Sequence, residues 1–394
     1  MKRKDFLKIS ASAAMFFGIS PKNIASPVDN LDYLNNNYTN DGSCIDLTHE
    51  PISNVKIGII GLGNRGSVLI QMFDYLIKNN LSTVVALCDL DDNNIDRNLK
   101  YLKTIQEHSP DVYKGREDSW KELVKRDDID LVIVATPWDT HTEMCIYSMQ
   151  NDKHVACEVP IANNLEDCWK IIEVAESTKK HCMMMENCCF NNEELWLLNM
   201  IDKGVFGSIN HAEGAYIHDL RKHMLDDEYY HNQWRIKHHQ KRNGNLYPTH
   251  GLGPVCSYMD IGRGDNFNHL VSMSSREESL SIAAESIKSD FQNFSCGDMN
   301  TTLIKTNLGK TIKLQFDVHT GRPYTRLNNV NGTKASHQGY PSKLFINNPE
   351  LQWGHSWLNQ DEYNKYRNLY NHPLWDKMKN EISKNQIGHG GMDF

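Results

Sequence analysis

Through the first half of the chain, short aliphatic and β-branched runs alternate with amphipathic stretches. Apolar runs at 55–60, 83–88, 130–136, 154–157 and 181–185 read as buried strands. Between them, residues 65–79, 93–107, 119–126, 141–150 and 165–178 carry apolar positions at helical spacing. That alternation predicts a doubly wound, mostly parallel α/β sheet. Beyond about residue 186 the texture changes. The runs 208–218, 267–275, 299–306 and 311–319 are β-rich, and Asn307-Leu-Gly-Lys310 between the last two is a hairpin signal. An α+β region with an open, largely antiparallel sheet is expected there.

The first strand flows into Gly61-Leu-Gly63-Asn64-Arg65-Gly66. This is the G-x-G-x-x-G of a dinucleotide-binding βαβ unit, placed between a strand and a helix as the motif requires. Gly61 permits the tight turn, Gly63 the approach of a pyrophosphate, and Gly66 the close packing of helix on strand. The second strand ends in Asp89, 23 residues after Gly66, where an acid binds ribose hydroxyls. Asp91 and Asp92 follow with no Arg or Lys beside them, which favours NAD over NADP. The expected division is an export-signal-like segment at 1–26, a linker at 27–53, an NAD-binding domain at 54–186 and a substrate-binding domain at 187–394.

Charge narrows the classes further. The 394 residues carry a formal charge of −8, and Lys2, Arg3, Lys4, Lys8 and Lys22 against Asp5 give the first 26 residues +4, so the remainder is at −12. A body this acidic disfavours nucleic acid as a partner. No apolar run is long enough for a stable membrane span. The basic start followed by the short apolar stretch Ile9–Ile19 predicts export to the periplasm. Arg3-Lys4-x-Phe6-Leu7-Lys8 resembles a twin-arginine signal with lysine in place of one arginine, and the alternative is a cytoplasmic tail. The ten cysteines are irregularly spaced without a C-x-x-C pair and read as buried small residues. His218, His223, His231, His238 and His239 lack metal-motif spacing; they are expected at the surface, and no metal site is expected. A homo-oligomer is compatible with the sequence.

In open α/β sheets ligands lie beyond the carboxyl ends of the strands. Three such ends carry polar groups: Thr136-Pro-Trp138-Asp139-Thr140-His141, Glu158-Val159-Pro160 and Glu186-Asn187-Cys188-Cys189. With the glycine loop, these segments resemble the glucose-fructose oxidoreductase/inositol dehydrogenase superfamily, which joins an NAD(P)-binding Rossmann domain to an open-faced α/β substrate domain. That superfamily has a lysine in Glu-Lys-Pro, and here the position is Val159, which cannot hydrogen-bond a substrate hydroxyl. Glu158-Val-Pro160, Met185-Glu-Asn-Cys-Cys189, His218-Asp-Leu-Arg221, Tyr247-Pro-Thr-His-Gly-Leu-Gly-Pro254 and Gly388-His-Gly-Gly-Met-Asp-Phe394 together resemble glycoside hydrolase family 109, the NAD-dependent α-N-acetylgalactosaminidases.

The resemblance implies NAD contacts from Asn64, Arg65, Asp89, Trp138, Asp139, Thr140, His141, Glu158, Val159 and Asn187. It implies sugar contacts from Tyr216, Arg235, Tyr247, Pro248, Thr249, His250 and Tyr324. The substrate would be a glycan or glycoside ending in GalNAc, cleaved by oxidation at C3, elimination, addition of water and reduction, a recognised exception to two-carboxylate hydrolysis. His250 is the leading acid/base candidate, since an imidazole exchanges protons near neutrality. It is expected in a rigid loop, Tyr247 to Pro254. Tyr247, Tyr216 and His389 are the further catalytic candidates; a tyrosine base would need its pKa lowered. Arg235 alternatively reads as a plain ion-pair residue. The final motif lies at the chain end, so the resemblance implies C-terminal truncation. A conventional NAD-dependent sugar dehydrogenase and a truncated, inactive NAD- or sugar-binding protein are the competing expectations.

Overall fold

The computed structural model describes residues 44, 47–347, 354–384 and 392–393. The signal-like segment 1–26, most of the linker at 27–53 and His389 lie outside the described residues. Six strands form the first sheet: β1 (Val55–Ile60), β2 (Ser82–Cys88), β3 (Asp111–Tyr113), β4 (Leu131–Val134), β5 (His154–Cys157) and β6 (Cys182–Met184). Their order is β3-β2-β1-β4-β5-β6 and every neighbouring pair is parallel. The chain reverses its winding between β1 and β4, which places the ligand crevice at their carboxyl ends. Ile57, Ile59, Val84 and Leu87 are buried, as expected of strands covered on both faces.

Two details depart from the sequence pattern. Strand β3 was not expected, being only three residues. The helix expected over 93–107 spans Asp92–Leu102. Gln106, just beyond it, turns its side-chain amide onto the β2 edge, accepting from the Val84 N–H at 3.1 Å and donating to its carbonyl at 2.9 Å.

The second sheet comprises β7 (Ile209–Ile217), β8 (Phe267–Ser274), β9 (Asn300–Thr306), β10 (Thr311–Asp317), β11 (Asn329–Gly332), β12 (Ala335–Gln338) and β13 (Lys343–Ile346). Its order is β13-β12-β11-β7-β10-β9-β8, antiparallel throughout except for the parallel pair β7/β10. The last three strands were not anticipated. Each has four residues, and β11 and β12 are rich in Asn, Gly, Ser and His, which have little strand preference of their own. Buried His337 helps to hold them, its Nδ1 lying 2.9 Å from the Asn328 carbonyl oxygen.

One face of this sheet is covered by helices. Ala212, Ile312 and Val330 pack there with Trp196 and Phe206. The register sends Glu213, Lys313, Leu303 and Val271 to the opposite, open face, where Lys313 pairs with Glu213. Helix Thr249–Tyr258 crosses β7 at very short range. A Cβ on Gly214 would stand 2.3 Å from the Gly251 carbonyl oxygen, and one on Gly251 would stand 2.4 Å from the Ala215 nitrogen. Only two glycines allow that approach, and it brings His250 against Tyr216. The segment expected as a rigid loop is therefore partly the first turns of a helix. A second correction concerns the histidines expected at the surface: His238 and His239 are buried, on helix Trp234–Lys241. No helix among the described residues is long and apolar enough to cross a membrane.

Candidate active site

The glycine loop has the shape of a phosphate cradle. Gly61 sits at φ +89°, and a Cβ there would stand 2.6 Å from the Ala135 carbonyl oxygen. A Cβ on Gly66 would collide with the Gly61 carbonyl oxygen at 2.0 Å, whereas one on Gly63 would meet nothing within 4 Å. The open side at Gly63 faces the start of helix Asn64–Met72, which has no side-chain cap and no acid in its first turn. Its first N–H groups suit an anion. Asp89 at the end of β2 accepts the Leu62 N–H at 2.5 Å and the Asp91 N–H at 2.8 Å, fixing an acid beside the loop. Arg97, not singled out from sequence, donates to the Leu62 carbonyl at 3.1 Å and the Ser67 hydroxyl at 2.9 Å, so its charge is engaged in bracing the loop. An open cradle, uncapped N–H groups and an oriented acid fit NAD.

Arg65 anchors a polar cluster at the next strand ends. Its Nε lies 2.5 Å from Glu158 and its Nη2 lies 2.8 Å from Asp393, to which Asn187 also donates at 2.5 Å. Burial works against the Arg65 charge, but hydrogen bonding and attraction from Asp393 and Glu158 outweigh it and hold the guanidinium protonated. The Asp393 side chain is fully buried. Sequence reasoning pointed to His389 in the same motif and missed Asp393.

At the β4 end, His141 is buried with Nδ1 2.8 Å from the Pro160 carbonyl and Nε2 2.7 Å from that of Thr136. It ties together the two turns that form the crevice wall. Thr140 hydrogen-bonds Thr136 and the Pro137 carbonyl, and Asn64 donates to the Tyr229 carbonyl. Asp139 lies further out, exposed and 3.6 Å from His238.

Trp138 and Val159, which follow β4 and β5 of the first sheet, share one buried cluster with Tyr216 of β7 and with Tyr247, and Tyr324 packs against it. The ring centres of Tyr247 and His250 are 4.8 Å apart, those of Tyr216 and Tyr247 are 4.9 Å apart, and Tyr216 and His250 are separated by 5.2 Å. Pro248 and Thr249 lead into the helix that carries His250. Nδ1 of His250 lies 2.7 Å from Glu186. Burial alone would raise the Glu186 carboxyl, but the hydrogen bond and charge of His250, with the Cys188 N–H, bring it below its ordinary value. Ionised Glu186 accepts from Nδ1–H, leaving Nε2 of His250 to exchange protons. Glu186 belongs to one of the polar strand ends read from the sequence, but the contacts implied by the resemblance name its neighbour Asn187 and leave Glu186 without a role.

The tyrosines behave differently. Burial pushes the Tyr247 and Tyr216 hydroxyls well above their usual values, against the opposing charge of Arg235. Burial likewise raises Tyr324, to about 12. All three therefore act as neutral hydrogen-bonding groups in this environment.

Arg235 is buried inside an aromatic box, 5.1 Å from the Trp138 ring, 5.2 Å from Tyr247 and 5.5 Å from Tyr230. One nitrogen donates to the Tyr230 hydroxyl at 3.1 Å. Its Nε and Nη2 are buried with no hydrogen-bond partner. The ion-pair alternative for Arg235 finds no support, because no carboxylate pairs with it among the described residues. A buried cation with two unpaired donors is costly to fold and suited to a polar ligand.

Comparison with known proteins agrees with this geometry. Residues 190–394 match the family model "Glycosyl hydrolase 109, C-terminal domain", and residues 55–186 match "Oxidoreductase family, NAD-binding Rossmann fold". The chain is similar to an alpha-N-acetylgalactosaminidase of Shewanella oneidensis, 41% identical over 398 residues, covering 100% of this chain and 85% of that protein. It is also 41% identical over 366 residues to a glycosyl hydrolase family 109 protein of Shewanella woodyi, covering 90% and 78%. Among solved structures, an NAD binding oxidoreductase from Klebsiella pneumoniae aligns with TM-score 0.61 at 18% identity, over 80% of this chain and 82% of that one. Levoglucosan dehydrogenase in complex with NADH aligns with TM-score 0.61 at 16% identity, over 86% and 87%. The two structures share the fold.

Proposed function

The chain belongs to glycosyl hydrolase family 109, with an NAD-binding Rossmann domain, and from that premise we propose that it removes terminal α-linked N-acetylgalactosamine by an NAD-dependent cycle. The observation that carries this reading is the single buried cluster in which Trp138 and Val159 meet Tyr216 and Tyr247, with the Glu186–His250 pair at its edge. That residues expected on the cofactor side and on the sugar side share one buried cluster supports this reading.

NAD⁺, which the glycine loop and Asp89 would hold, would supply reversible hydride transfer at C3 of the sugar, so the net reaction would be hydrolysis. His250, oriented by Glu186, takes the C3 hydroxyl proton as the alcohol becomes a ketone. The ketone acidifies C2–H. A base takes that proton as the C1–O bond breaks, and the departing oxygen takes up a proton from solvent, which water restores when it adds at C1. Negative charge gathers on the C3 oxygen meanwhile, and the two unpaired buried donors of Arg235 support its role in stabilising it. Neutral Tyr247 and Tyr216 orient the ring hydroxyls. Water then adds at C1 and a proton returns to C2. Val159 offers no ammonium to the sugar, which separates this chamber from one built around a lysine.

The test is to incubate purified protein with an aryl α-N-acetylgalactosaminide, without added NAD. Aryl release with no net NADH supports hydrolysis. Net NADH from free sugar would make the protein a dehydrogenase, and neither signal with NAD bound would make it a binding protein. The basic and then apolar start of the sequence supports export as the setting for this activity, testable by fractionating cells that express the full chain.

A further inference from the structure

His239, Cys296 and His319 meet within the larger buried cluster that holds Tyr216 and Tyr247, of which Cys296 is a member. All three are fully buried, at 0% exposure. They come from helix Trp234–Lys241, the stretch before β9 and the residue pair after β10. One potential ligand atom from each lies within 4.8 Å of the others. Nδ1 of His239 and Nε2 of His319 are 2.8 Å apart. The second ring nitrogen of His239, Nε2, is buried without a hydrogen-bond partner, and that of His319, Nδ1, faces the Asp298 carboxylate. Two fully buried imidazoles in contact, one with an unpaired nitrogen, are unusual and call for an explanation.

The surrounding backbone is already fixed. The N–H groups of Ser295 and Cys296 both donate to the His239 carbonyl at 3.0 Å, and the Gly297 N–H donates to Asn243 at 3.1 Å. Asp298, 3.4 Å from Nδ1 of His319, is held by the Ser279 hydroxyl at 2.8 Å.

We propose that His239, Cys296 and His319 bind a divalent metal ion of the zinc class. Zinc–nitrogen bonds of about 2.0–2.1 Å at a tetrahedral angle set two imidazole nitrogens about 3.3 Å apart. The present 2.8 Å separation needs only a small opening. The metal replaces the contact between the two rings. Cys296 ligates as thiolate, its proton released to solvent, and water takes the fourth position. Nδ1 of His319 already faces Asp298 at 3.4 Å, and that carboxylate would take its N–H and so fix which nitrogen meets the ion. Two imidazoles and a thiolate select zinc, or cobalt in its place, over magnesium and calcium. The ion would tie the helix bearing Arg235 to the ends of β9 and β10, so its role is structural.

The full chain, loaded with cobalt(II), reads this directly through the near-ultraviolet thiolate-to-cobalt absorption. The expected result is that band in the wild type and in Cys188→Ser, whose thiol belongs to a separate trio with Glu186 and His250. The band disappears in Cys296→Ser, which changes one atom and should leave the fold intact. The surface trio His49, His154 and His181 has no sulfur and cannot produce it. Zinc should raise the Tm of the wild type and not of His319→Ala. No band in the wild type, or a band that survives Cys296→Ser, would overturn the proposal.

Discussion

Glu186 and His250 lie 64 residues apart in sequence and 2.7 Å apart in space, carboxylate oxygen to Nδ1. The carboxylate fixes the tautomer of the imidazole and steadies the imidazolium that forms when Nε2 accepts a proton. Glu186→Gln keeps the shape and removes the charge. kcat should fall about 10²-fold with KM and bound NAD nearly unchanged. Steady-state kinetics beside an assay of bound NAD checks this, and an unaltered kcat would remove Glu186 from the mechanism.

The same pair sets an acid limit on stability. The folded Glu186 carboxyl titrates below its ordinary value of 4.5. Its contribution is therefore complete above the ordinary value and is lost as pH falls through the depressed one. The Tm gap between wild type and Glu186→Gln should be constant near neutrality and narrow below pH 4.5. Thermal melts across that range give the answer, and a gap that widens on acidification would reverse the sign.

Arg235 should trade stability for activity. Its two unpaired buried donors are each worth about 1.5–3 kcal/mol once paired with a charged or polar ligand. Arg235→Met should lower kcat/KM by about 10²-fold or more while raising the Tm of the sugar-free protein. Arg235→Lys should not restore activity, because an ammonium lacks the planar fork. A loss of Tm in Arg235→Met would show that the guanidinium is there for packing.

Asp393 links the end of the sequence to the glycine loop through Arg65 and Asn187. Asp393→Asn leaves Glu158 as the only carboxylate on Arg65 and should weaken NAD binding about 10-fold. NADH fluorescence titration measures it. An unchanged Kd would confine Asp393 to a role after cofactor binding.

Asp89→Asn should weaken NAD by a similar or larger factor, about 10- to 100-fold, without improving NADP. Arg97 is the nearby cation, and it is committed to the Leu62 carbonyl and Ser67. Titration with both dinucleotides separates the outcomes; a switch to NADP would show that Arg97 is available after all.

The parts of this structure legible in the sequence are those written in local pattern. Ile57 and Ile59 of β1, the three glycines after it and Asp89 are local signals, and the strand-end rule pointed to the segments that carry Trp138, Glu158, Glu186 and Asn187. What escaped was set by long-range contact. Glu186 looked like any strand-end acid until the helix carrying His250 folded against it. His239 shares a polar-looking stretch with exposed Lys237, and only tertiary packing buries it. The Tyr247 stretch promised a loop because Pro and Gly punctuate it, yet Gly251 serves to let a helix cross Gly214. Strands β11 to β13 have almost no intrinsic preference and form because β7 offers an edge.

In the proposed cycle the sugar is oxidised at C3, loses its C2 proton in the elimination and is restored when the hydride returns. Hydrolysis of an aryl α-N-acetylgalactosaminide in deuterated water, with proton NMR of the released sugar, reads both positions. Deuterium is expected at C2 of the product with the C3 hydrogen retained. Full hydrolysis with the C2 hydrogen untouched would contradict that cycle.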